Sequence, residues 1–399
     1  MGTPVIDSDA HVTEPADLWT SRMTSETWGD LIPQVRFDAV SNSDSWFVGD
    51  ERIGQFGGSA AIKVPDQDYP VRWQGDFPEL PRRDDLHPSS WDAKERLKIM
   101  DRHGIAVAAL FGNLGVSKNY FRSFDDESFK LDLIRTYNDF LIEWTSVAPE
   151  RFIPLANLPF WDTGASAKEA ARAAGLGHKG VVISGIPERH GLPPFAHRSW
   201  DELWEACSDH HLPIHFHAGG GDISHSFNQV RHATMGGGAM HTAGTTNVIL
   251  DTAVSVSDLL VSGVLPRFPE TRWIVVESAV GYLPFVLESV DYHFNLYMRG
   301  KPEYAMYEAP PSEYFHRQMY GTYWFERVDQ HLIDHVGARN IMFETDYPHP
   351  TCLLEDDIRE ATNVGLADIG PEDRGRILWR NAAELYRITT VPDVPSLAA

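Results

Sequence analysis

The sequence contains little cysteine. Only Cys207 and Cys352 occur among its 399 residues, which is too few for a disulfide framework, and their spacing does not match a cysteine-based zinc site. The sequence also lacks an N-terminal signal core and any uncharged apolar run of about 18 residues, the length that a membrane-spanning helix needs. We therefore expect a cytoplasmic protein with reduced thiols.

Positive charge is also scarce. Lysine and arginine total 34 against 57 aspartates and glutamates, which gives a formal net charge of −23. Because such a surface repels phosphate groups, we expect neither nucleic acid nor an anionic membrane as a partner. The 42% hydrophobic and 23% charged residues are otherwise typical of a globular protein.

Apolar runs alternate with segments of helical period along most of the chain. This order predicts a single domain over residues 1–399 that folds as a (β/α)₈ barrel, with a doubly wound sheet as the alternative. Gly104, Gly177 and Gly337 lie between a predicted helix and the next strand, where left-handed backbone ends a helix. The eight predicted strands are Val5–Ile6, Ile105–Phe111, Phe152–Phe160, Val181–Ser184, Ile214–Phe216, Trp273–Val276, Met319–Trp324 and Ile341–Phe343.

Three segments depart from this alternation. Residues 20 to about 90 are rich in Trp, Pro and Asp and show little periodicity, and we interpret them as an insertion after the first strand that packs over the barrel mouth. Residues 218–246 contain two glycine triplets and predict either a substrate lid or a solvated surface loop, before a helix that begins at Thr245. Residues 366–399 predict a C-terminal extension with a helix around Arg374–Arg387.

Polar side chains that could bind a metal lie at the end of the first strand. Asp9 and His11 are two residues apart, so both point to the same side of an extended backbone and could chelate one ion. Glu14 follows three residues later, where it could reach the same pocket or cap the turn. We therefore predict ligands on this strand, with Glu14 as a further candidate.

Three other strands end in similar side chains. On the fifth strand His217 lies nearer the C-terminal end and is the favoured ligand, whereas His215 is expected to pack or to support it. The sixth strand stops at Glu277. Carboxylates and imidazoles that meet at the C-terminal face of a barrel typically hold a divalent metal. The eighth strand adds three candidates: Glu344, Asp346 and His349.

Four segments together resemble the amidohydrolase superfamily, and most closely its branch containing aminocarboxymuconate semialdehyde decarboxylase and resorcylate-type decarboxylases. The resemblance implies a distorted (β/α)₈ barrel and a homo-oligomer, which we expect to be a dimer. It also implies that Asp9, His11, His217 and Asp346 bind metal and that Asp346 acts as a base. The segments are Asp7-x-Asp9-x-His11-x-x-Glu14-Pro15, the strand of His217, Val276–Pro284 and Phe343–His349.

The chain departs from that family in its carboxylates. Many relatives have His-x-His on the first strand and a histidine at the end of the sixth, whereas this chain has Asp9 and Glu277. The fourth strand ends without the lysine that bridges two metals in urease-like members. Since Glu14 and Glu277 could hold a second ion, we expect one or two ions of zinc, manganese or iron.

The same ligands support more than one reaction class. A metal-activated water or a metal-polarised carboxylate would give hydrolysis or non-oxidative decarboxylation of a small carboxylic or cyclic substrate, with Asp346, Glu277 or His241 handling protons. Two carboxylate-bridged irons would instead give a monooxygenase, and a closed metal site would give a non-catalytic binding protein. Four side chains are expected beside the metal or the substrate: His215, Glu344, His349 and His225.

Overall fold

The structure, a computed structural model, describes residues 3–74, 81–114, 124–220 and 223–394. Residues 75–80 of the predicted insertion and residues 221–222 of the predicted glycine-rich loop lie outside these ranges, as does the end of the C-terminal tail.

Eight parallel strands form one sheet, and their order in the sheet is their order along the chain. All eight predicted strands are confirmed, and a separate three-stranded antiparallel sheet lies between the first and second of them. The strands are β1 (Val5–Val12), β2 (Gln34–Asp38), β3 (Ser43–Val48), β4 (Glu51–Gln55), β5 (Ile105–Gly112), β6 (Phe152–Asn157), β7 (Gly180–Ile183), β8 (Ile214–His217), β9 (Trp273–Val276), β10 (Met319–Tyr323) and β11 (Ile341–Phe343), of which β2, β3 and β4 form the small sheet.

The two edges of the large sheet meet beside β1. The backbone N–H of His11 donates to the carbonyl of Tyr347 at 2.7 Å, and that of Asp346 donates to the carbonyl of Asp9 at 2.8 Å. These bonds join β1 to the segment that follows β11. The sheet is therefore a nearly closed barrel, and the predicted (β/α)₈ fold is confirmed.

Helices follow the barrel strands, as the helical spacing of apolar residues between the strands predicted. The predicted left-handed glycines are confirmed, since Gly104, Gly177 and Gly337 have φ of 66°, 109° and 86°. No helix within the described ranges is both long enough and apolar enough to cross a membrane. The α-helices are α1 (Ser25–Trp28), α2 (Ala93–Arg102), α3 (Glu127–Thr145), α4 (Thr163–Leu176), α5 (Asp201–Asp209), α6 (Gln229–Met235), α7 (Gly237–Val261), α8 (Val264–Arg267), α9 (Leu283–Tyr297), α10 (Pro311–Gln318), α11 (Gln330–Val336), α12 (Glu355–Glu360), α13 (Pro371–Gly375) and α14 (Asn381–Leu385).

The insertion after β1 contains the small sheet, which its sequence did not predict. On β3, Trp46 and Val48 are buried, and the Trp46 ring packs edge-on against Trp19 at 5.0 Å between centroids. Neighbouring β2 carries no fully buried residue, so it lacks the alternation that identifies a strand. Thr13, just past β1, donates its N–H to the carbonyl of Ser90 at 2.9 Å, which ties the end of the insertion to the C-terminal end of β1.

The glycine-rich segment is largely helical instead of a loop. Residues 229–235 form α6, and α7 begins at Gly237, eight residues before the predicted start at Thr245. Glycine does not interrupt α7 because Gly244 lies on its buried face, where a Cβ atom would meet the ring of Phe227 at 2.7 Å. Only Gly236, with φ of 81°, separates the two helices.

The C-terminal extension packs against the inside of the barrel. Its predicted single helix is divided into α13, a π-helical turn at Arg376–Arg380, and α14. Tyr386 follows α14 and joins a buried cluster with Ile6, Phe111 and Met342. The extension is therefore part of the barrel core.

Candidate metal centre

Four of the predicted ligands converge at the C-terminal ends of β1, β8 and β11. On β1, Asp9 and His11 are fully buried, and His11 Nε2 lies 3.3 Å from Asp9 Oδ1. His217, the last residue of β8, places its Nε2 3.1 Å from His11 Nε2 and 3.3 Å from Asp9 Oδ2. Asp346 Oδ1 lies 3.4 Å from His11 Nε2. Two carboxylates and two imidazoles thus surround one point.

The imidazole of His217 is oriented by its second nitrogen. Nδ1 donates to the carbonyl of Ala218 at 2.8 Å and lies 3.4 Å from Glu277 Oε2. Because Nδ1 carries the hydrogen in this arrangement, the lone pair of Nε2 faces Asp9 and His11. This is the tautomer that a metal-binding histidine requires.

His349 forms a second group with His11 and Asp346. Its Nδ1 lies 2.8 Å from Asp346 Oδ1, and its ring stacks on that of His11 with centroids 3.8 Å apart. Its Nε2 lies 2.7 Å from Oδ1 of Asn113, just past β5. The ligand atoms of this group lie within 4.8 Å of one another, and the same limit holds within the separate group of Asp9, His11 and His217. The structure thus places His349 beside the candidate ligands, and its role there stays a prediction.

Two of the predicted site residues have strained backbone. Glu277 and Asp346 have φ of 51° and 59°, a left-handed region that costs residues other than glycine on the order of 1–3 kcal/mol. Glu277 directly follows buried strand β9, and Asp346 lies three residues past the end of buried strand β11. The chain turns sharply at both residues. Such strain is concentrated where side chains must be held in functional positions.

Glu344 is buried beneath Glu277. One oxygen, Oε2, accepts the backbone N–H of Glu277 at 3.0 Å, while Oε1 is buried with no hydrogen-bond partner among the described residues. Burial, and then the negative charge of Asp9, raise the pKa of Glu344 well above its usual range. Glu344 therefore favours its neutral form and supports the turn at Glu277.

Glu14 binds backbone amides. Its Oε1 accepts the N–H groups of Asn113 and Leu114 at 2.8 and 2.7 Å. This contact holds the segment after β5 beside β1, and thereby also positions Asn113 against His349. The predicted role of Glu14 as a metal ligand stays a prediction.

The charges of the group are strongly interdependent. Burial alone would lower the pKa of His217, but Asp9 raises it to about 10. Burial likewise works against the charge on Asp9, yet His217 and His11 hold the pKa of Asp9 below its usual value. The pKa of His11 is well below normal because of burial and the neighbouring His349. The negative charge of Asp9 thus attracts positive charge to this point, either a proton on His217 or a bound cation, and His11 stays neutral.

The remaining predicted histidines lie further from this group. His215 donates from Nδ1 to the carbonyl of Val181 at 3.0 Å and accepts from the hydroxyl of Tyr386 at 2.7 Å, so it packs inside the barrel as expected. His225 is half exposed, 3.9 Å from Asp251. His241 lies on α7 near the ring of Phe227. The proton-handling role of His241 and the substrate role of His225 stay predictions.

The donor set fits a divalent cation. Both oxygens of Asp9 are buried and accept no well-formed hydrogen bond within the described part of the chain, a costly state for a carboxylate unless a cation compensates it. Two carboxylates and two neutral imidazole nitrogens suit manganese, iron or zinc. Asp9, His11, His217 and Asp346 would hold the ion.

Sequence reasoning missed several residues that support the site. Asp7 accepts the backbone N–H of Thr345 at 2.8 Å and so ties β1 to the end of β11; burial, together with Asp9, raises its pKa to about 8. Thr351 donates to Asp346 Oδ2 at 2.5 Å. Asn113 could have been found as a polar residue at the end of a buried strand, whereas Thr351 carries no such signal.

Comparison with known proteins agrees with this geometry. A family model described as Amidohydrolase matches residues 6–388. A gamma-resorcylate decarboxylase from Polaromonas sp. strain JS666 is 27% identical over 334 residues, which cover 82% of this chain and 92% of that protein.

Two solved structures share the fold. An amidohydrolase from Mycobacterium avium subsp. paratuberculosis K-10 has a TM-score of 0.73 and 19% identity, covering 97% of this chain and 100% of its own. A dihydroxybenzoic acid decarboxylase from Polaromonas sp. JS666, with bound manganese and the inhibitor 2-nitroresorcinol, has a TM-score of 0.62 and 20% identity and covers 98% of both chains. The match of the family model over almost the whole sequence confirms the predicted superfamily, and the chain belongs to the amidohydrolase family.

Proposed function

We propose that the protein is a cytoplasmic, metal-dependent, non-oxidative decarboxylase of a small aromatic carboxylic acid. The observation that carries the proposal is the convergence of Asp9, His11, His217 and Asp346 at the mouth of the barrel. Relatives named as gamma-resorcylate decarboxylases support the reaction class. When bound, a divalent cation would supply positive charge that polarises an oxygen of the substrate.

The chain's own residues would bind the ion and move the proton. In decarboxylation the bond between the ring carbon and the carboxyl carbon breaks, carbon dioxide leaves, and the ring carbon takes up one proton. Asp346 and His349 are 2.8 Å apart through Oδ1 and Nδ1, and Asn113 holds the far nitrogen of that ring. This pair is suited to hold the proton and deliver it, as general acid–base groups do.

Glu277 is the second candidate for proton transfer. Its side chain is 15% exposed, in contrast to the buried ligands, and its Oε2 lies by Nδ1 of His217. It therefore sits at the rim of the site, where a substrate would pass. Hydrolysis by the same residues would require a water molecule as the nucleophile, with its proton passed to the leaving group, and the relatives favour decarboxylation.

A dinuclear iron monooxygenase is the alternative chemistry. It would need Glu14 and Glu277 as ligands of a second ion. Glu14 Oε1 instead accepts two backbone amides, and Glu277 approaches the nitrogen of His217 that faces away from Asp9. These contacts favour a single ion.

Metal reconstitution followed by a substrate assay tests the proposal. Chelator-treated protein would be loaded anaerobically with Mn²⁺, Zn²⁺ or Fe²⁺ and given 2,6-dihydroxybenzoate and related hydroxybenzoates, with carbon dioxide and dioxygen both measured. We expect one ion per chain and carbon dioxide release without dioxygen uptake. Asp9→Asn should abolish both metal binding and turnover.

Three other results would count against the proposal. Two irons per chain with dioxygen consumption would establish the oxygenase. Metal-dependent product formation without carbon dioxide would indicate a hydrolase. A metal that stabilises the fold without turnover of any acid in the panel would indicate a binding protein.

A further inference from the structure

The chain just past β9 has strained backbone at two positions. Glu277 and Ala279 have φ of 51° and 53°, a left-handed region that residues with a Cβ atom rarely adopt. Ser278, between them, is fully buried. Two strained residues so close together persist only where neighbouring groups fix the backbone. We call residues 277–281 the β9 turn.

Two side chains fix the start of the β9 turn. Glu344 Oε2 accepts the backbone N–H of Glu277 at 3.0 Å. The hydroxyl of Ser278 donates to the carbonyl of Val275 at 3.1 Å and lies 3.5 Å from Oγ1 of Thr322 on β10. The first two residues of the turn are therefore held against β9, β10 and the end of β11.

Glu326 holds the second half of the turn. Its Oε1 accepts the N–H of Val280 at 2.5 Å, and its Oε2 accepts the N–H of Trp324, just past β10, at 3.1 Å. Burial raises the pKa of Glu326, and the two N–H donors counter this by favouring the charged form. Since β9 and β10 are neighbours in the sheet, one carboxyl group joins the chain after one strand to the chain after the next.

The first side chain of the β9 turn faces the candidate metal centre. Glu277 Oε2 lies 3.4 Å from Nδ1 of His217, and the side chain is 15% exposed. Because backbone dihedrals set the direction of a side chain, the left-handed φ of Glu277 determines where its carboxylate lies. Glu326 itself contacts backbone groups, and within the described ranges it has no hydrogen bond or ion pair with any of the four candidate metal ligands.

We infer that Glu326 is a positioning residue for Glu277: it holds the β9 turn so that the Glu277 carboxylate stays at the rim of the site, where the substrate would bind. The inference rests on the proposed function, in which Glu277 is the second candidate for proton transfer. Loss of Glu326 should therefore impair turnover without releasing the metal.

Kinetics of Glu326→Ala tests the inference. The variant leaves the N–H groups of Val280 and Trp324 without their acceptor, and we expect kcat to fall about tenfold to hundredfold, as misplacement of a reacting group does, with little change in KM or in the Kd for Mn²⁺. Glu326→Gln keeps one acceptor oxygen and should retain more activity, and it replaces Glu326→Ala if that variant does not fold. Asp329→Ala is the control. Asp329 also accepts a backbone N–H, that of Leu332 at 2.9 Å at the start of α11, so this variant should lower the melting temperature and leave kcat unchanged.

A double-mutant cycle distinguishes positioning of Glu277 from a general structural role. In a Glu277→Ala background the further change Glu326→Ala should leave kcat unchanged, since the group that Glu326 positions is already missing. A crystal structure of Glu326→Ala adds a measurement that needs no substrate. In it the Glu277 carboxylate should have moved from His217 Nδ1 by about 1 Å or more.

Three results would overturn the inference. They are a Glu326→Ala variant with the kcat of the wild-type protein, an equal loss of kcat in the wild-type and Glu277→Ala backgrounds, and a Glu277 carboxylate that keeps its place in the crystal structure. If the wild-type protein turns over no acid in the panel but the carboxylate has moved in the variant, the proposed function fails and the positioning role stands.

Discussion

The carbonyl oxygen of His11 accepts a 2.6 Å hydrogen bond from Nη2 of Arg96. Arg96 is buried on α2; its Nε donates to the carbonyl of Ser89 at 2.7 Å, and its guanidinium lies 4.8 Å from the ring centroid of Tyr347. Since the N–H of His11 is held by the Tyr347 carbonyl, both backbone polar groups of this candidate ligand are fixed. Arg96 therefore positions His11 from the main chain.

Replacing Arg96 should weaken metal binding. Arg96→Met removes the hydrogen bond to His11 and should raise the Kd for Mn²⁺ about tenfold to hundredfold, as loss of a group that orients a ligand does. Titration calorimetry on metal-free protein measures this.

A second arginine provides the control. Arg151 also donates from Nε and Nη2 to backbone carbonyls, those of Ala106 and Ile105 at 2.6 and 3.0 Å, but at the N-terminal end of β5. Arg151→Met should lower the melting temperature and leave the Kd unchanged. If Arg96→Met and Arg151→Met changed the Kd for Mn²⁺ equally, Arg96 would stabilise the fold without specifically positioning His11.

His349→Gln should reduce turnover without loss of metal. If His349 holds the transferred proton beside Asp346, its removal should lower kcat by about 10²–10⁴-fold, while the ion stays bound to Asp9, His11, His217 and Asp346. Steady-state kinetics and metal analysis of the same samples measure both effects.

Removing only Asn113, the second hydrogen-bond partner of the His349 ring, should lower turnover less than removing His349 itself. Asn113→Leu deletes the acceptor of the His349 Nε2 hydrogen bond and should lower kcat by roughly tenfold, a cost of about 1.4 kcal/mol. If His349→Gln instead loses metal in proportion to activity, His349 is a ligand.

The sequence predicted the barrel and the convergence of the candidate ligands because both depend on strong local patterns. Most barrel strands contain an apolar run, and the candidate ligands Asp9, His11, His217 and Asp346 stand at or near strand ends, where closure of the barrel makes them neighbours. The pattern on β1 even shows which two side chains share a face.

The contacts by which Arg96 and Glu14 support the site could not be predicted from local sequence patterns. Arg96 looks like an ordinary charged residue on an amphipathic helix, and its burial depends on the path of an insertion whose small sheet lacks clear alternation. The position of Glu14 predicts either a ligand or a capping residue, and its ligand role stays a prediction. The contact of its Oε1 with backbone amides of the segment after β5 appears only in three dimensions.

Acid should destabilise the protein partly through His103. The ring is buried, its Nε2 accepts from the hydroxyl of Tyr69 at 2.8 Å, and burial lowers its pKa to about 3. The folded state thus resists a proton that the unfolded chain accepts near its ordinary pKa of about 6.5. The contribution of the neutral His103 ring to the free energy of unfolding is complete above pH 6.5. It falls as the pH drops towards 3, by up to about 1.4 kcal/mol per pH unit.

His103→Gln removes this titration. Its free energy of unfolding should be lower than that of the wild-type protein at pH 7, but should fall less between pH 6.5 and 5, by about 1–2 kcal/mol. Urea unfolding followed by tryptophan fluorescence at each pH gives the two slopes. Parallel slopes would show that His103 does not contribute, since all other titrating groups are common to both proteins.

Tyr386→Phe should destabilise the barrel core and spare the metal centre. The change keeps the ring that lies parallel to His215 but removes the hydroxyl that donates to Nε2, and a buried acceptor left unsatisfied costs about 1–3 kcal/mol. The Kd of Tyr386→Phe for Mn²⁺ should equal that of the wild-type protein, because His217 is oriented by Ala218 and not by His215. Tyr320→Phe is the control: this tyrosine packs against the same cluster but is only partly buried, so the change should be nearly neutral. A rise in the metal Kd of Tyr386→Phe would mean that His215 positions the end of β8, which would extend the metal centre down to the C-terminal extension.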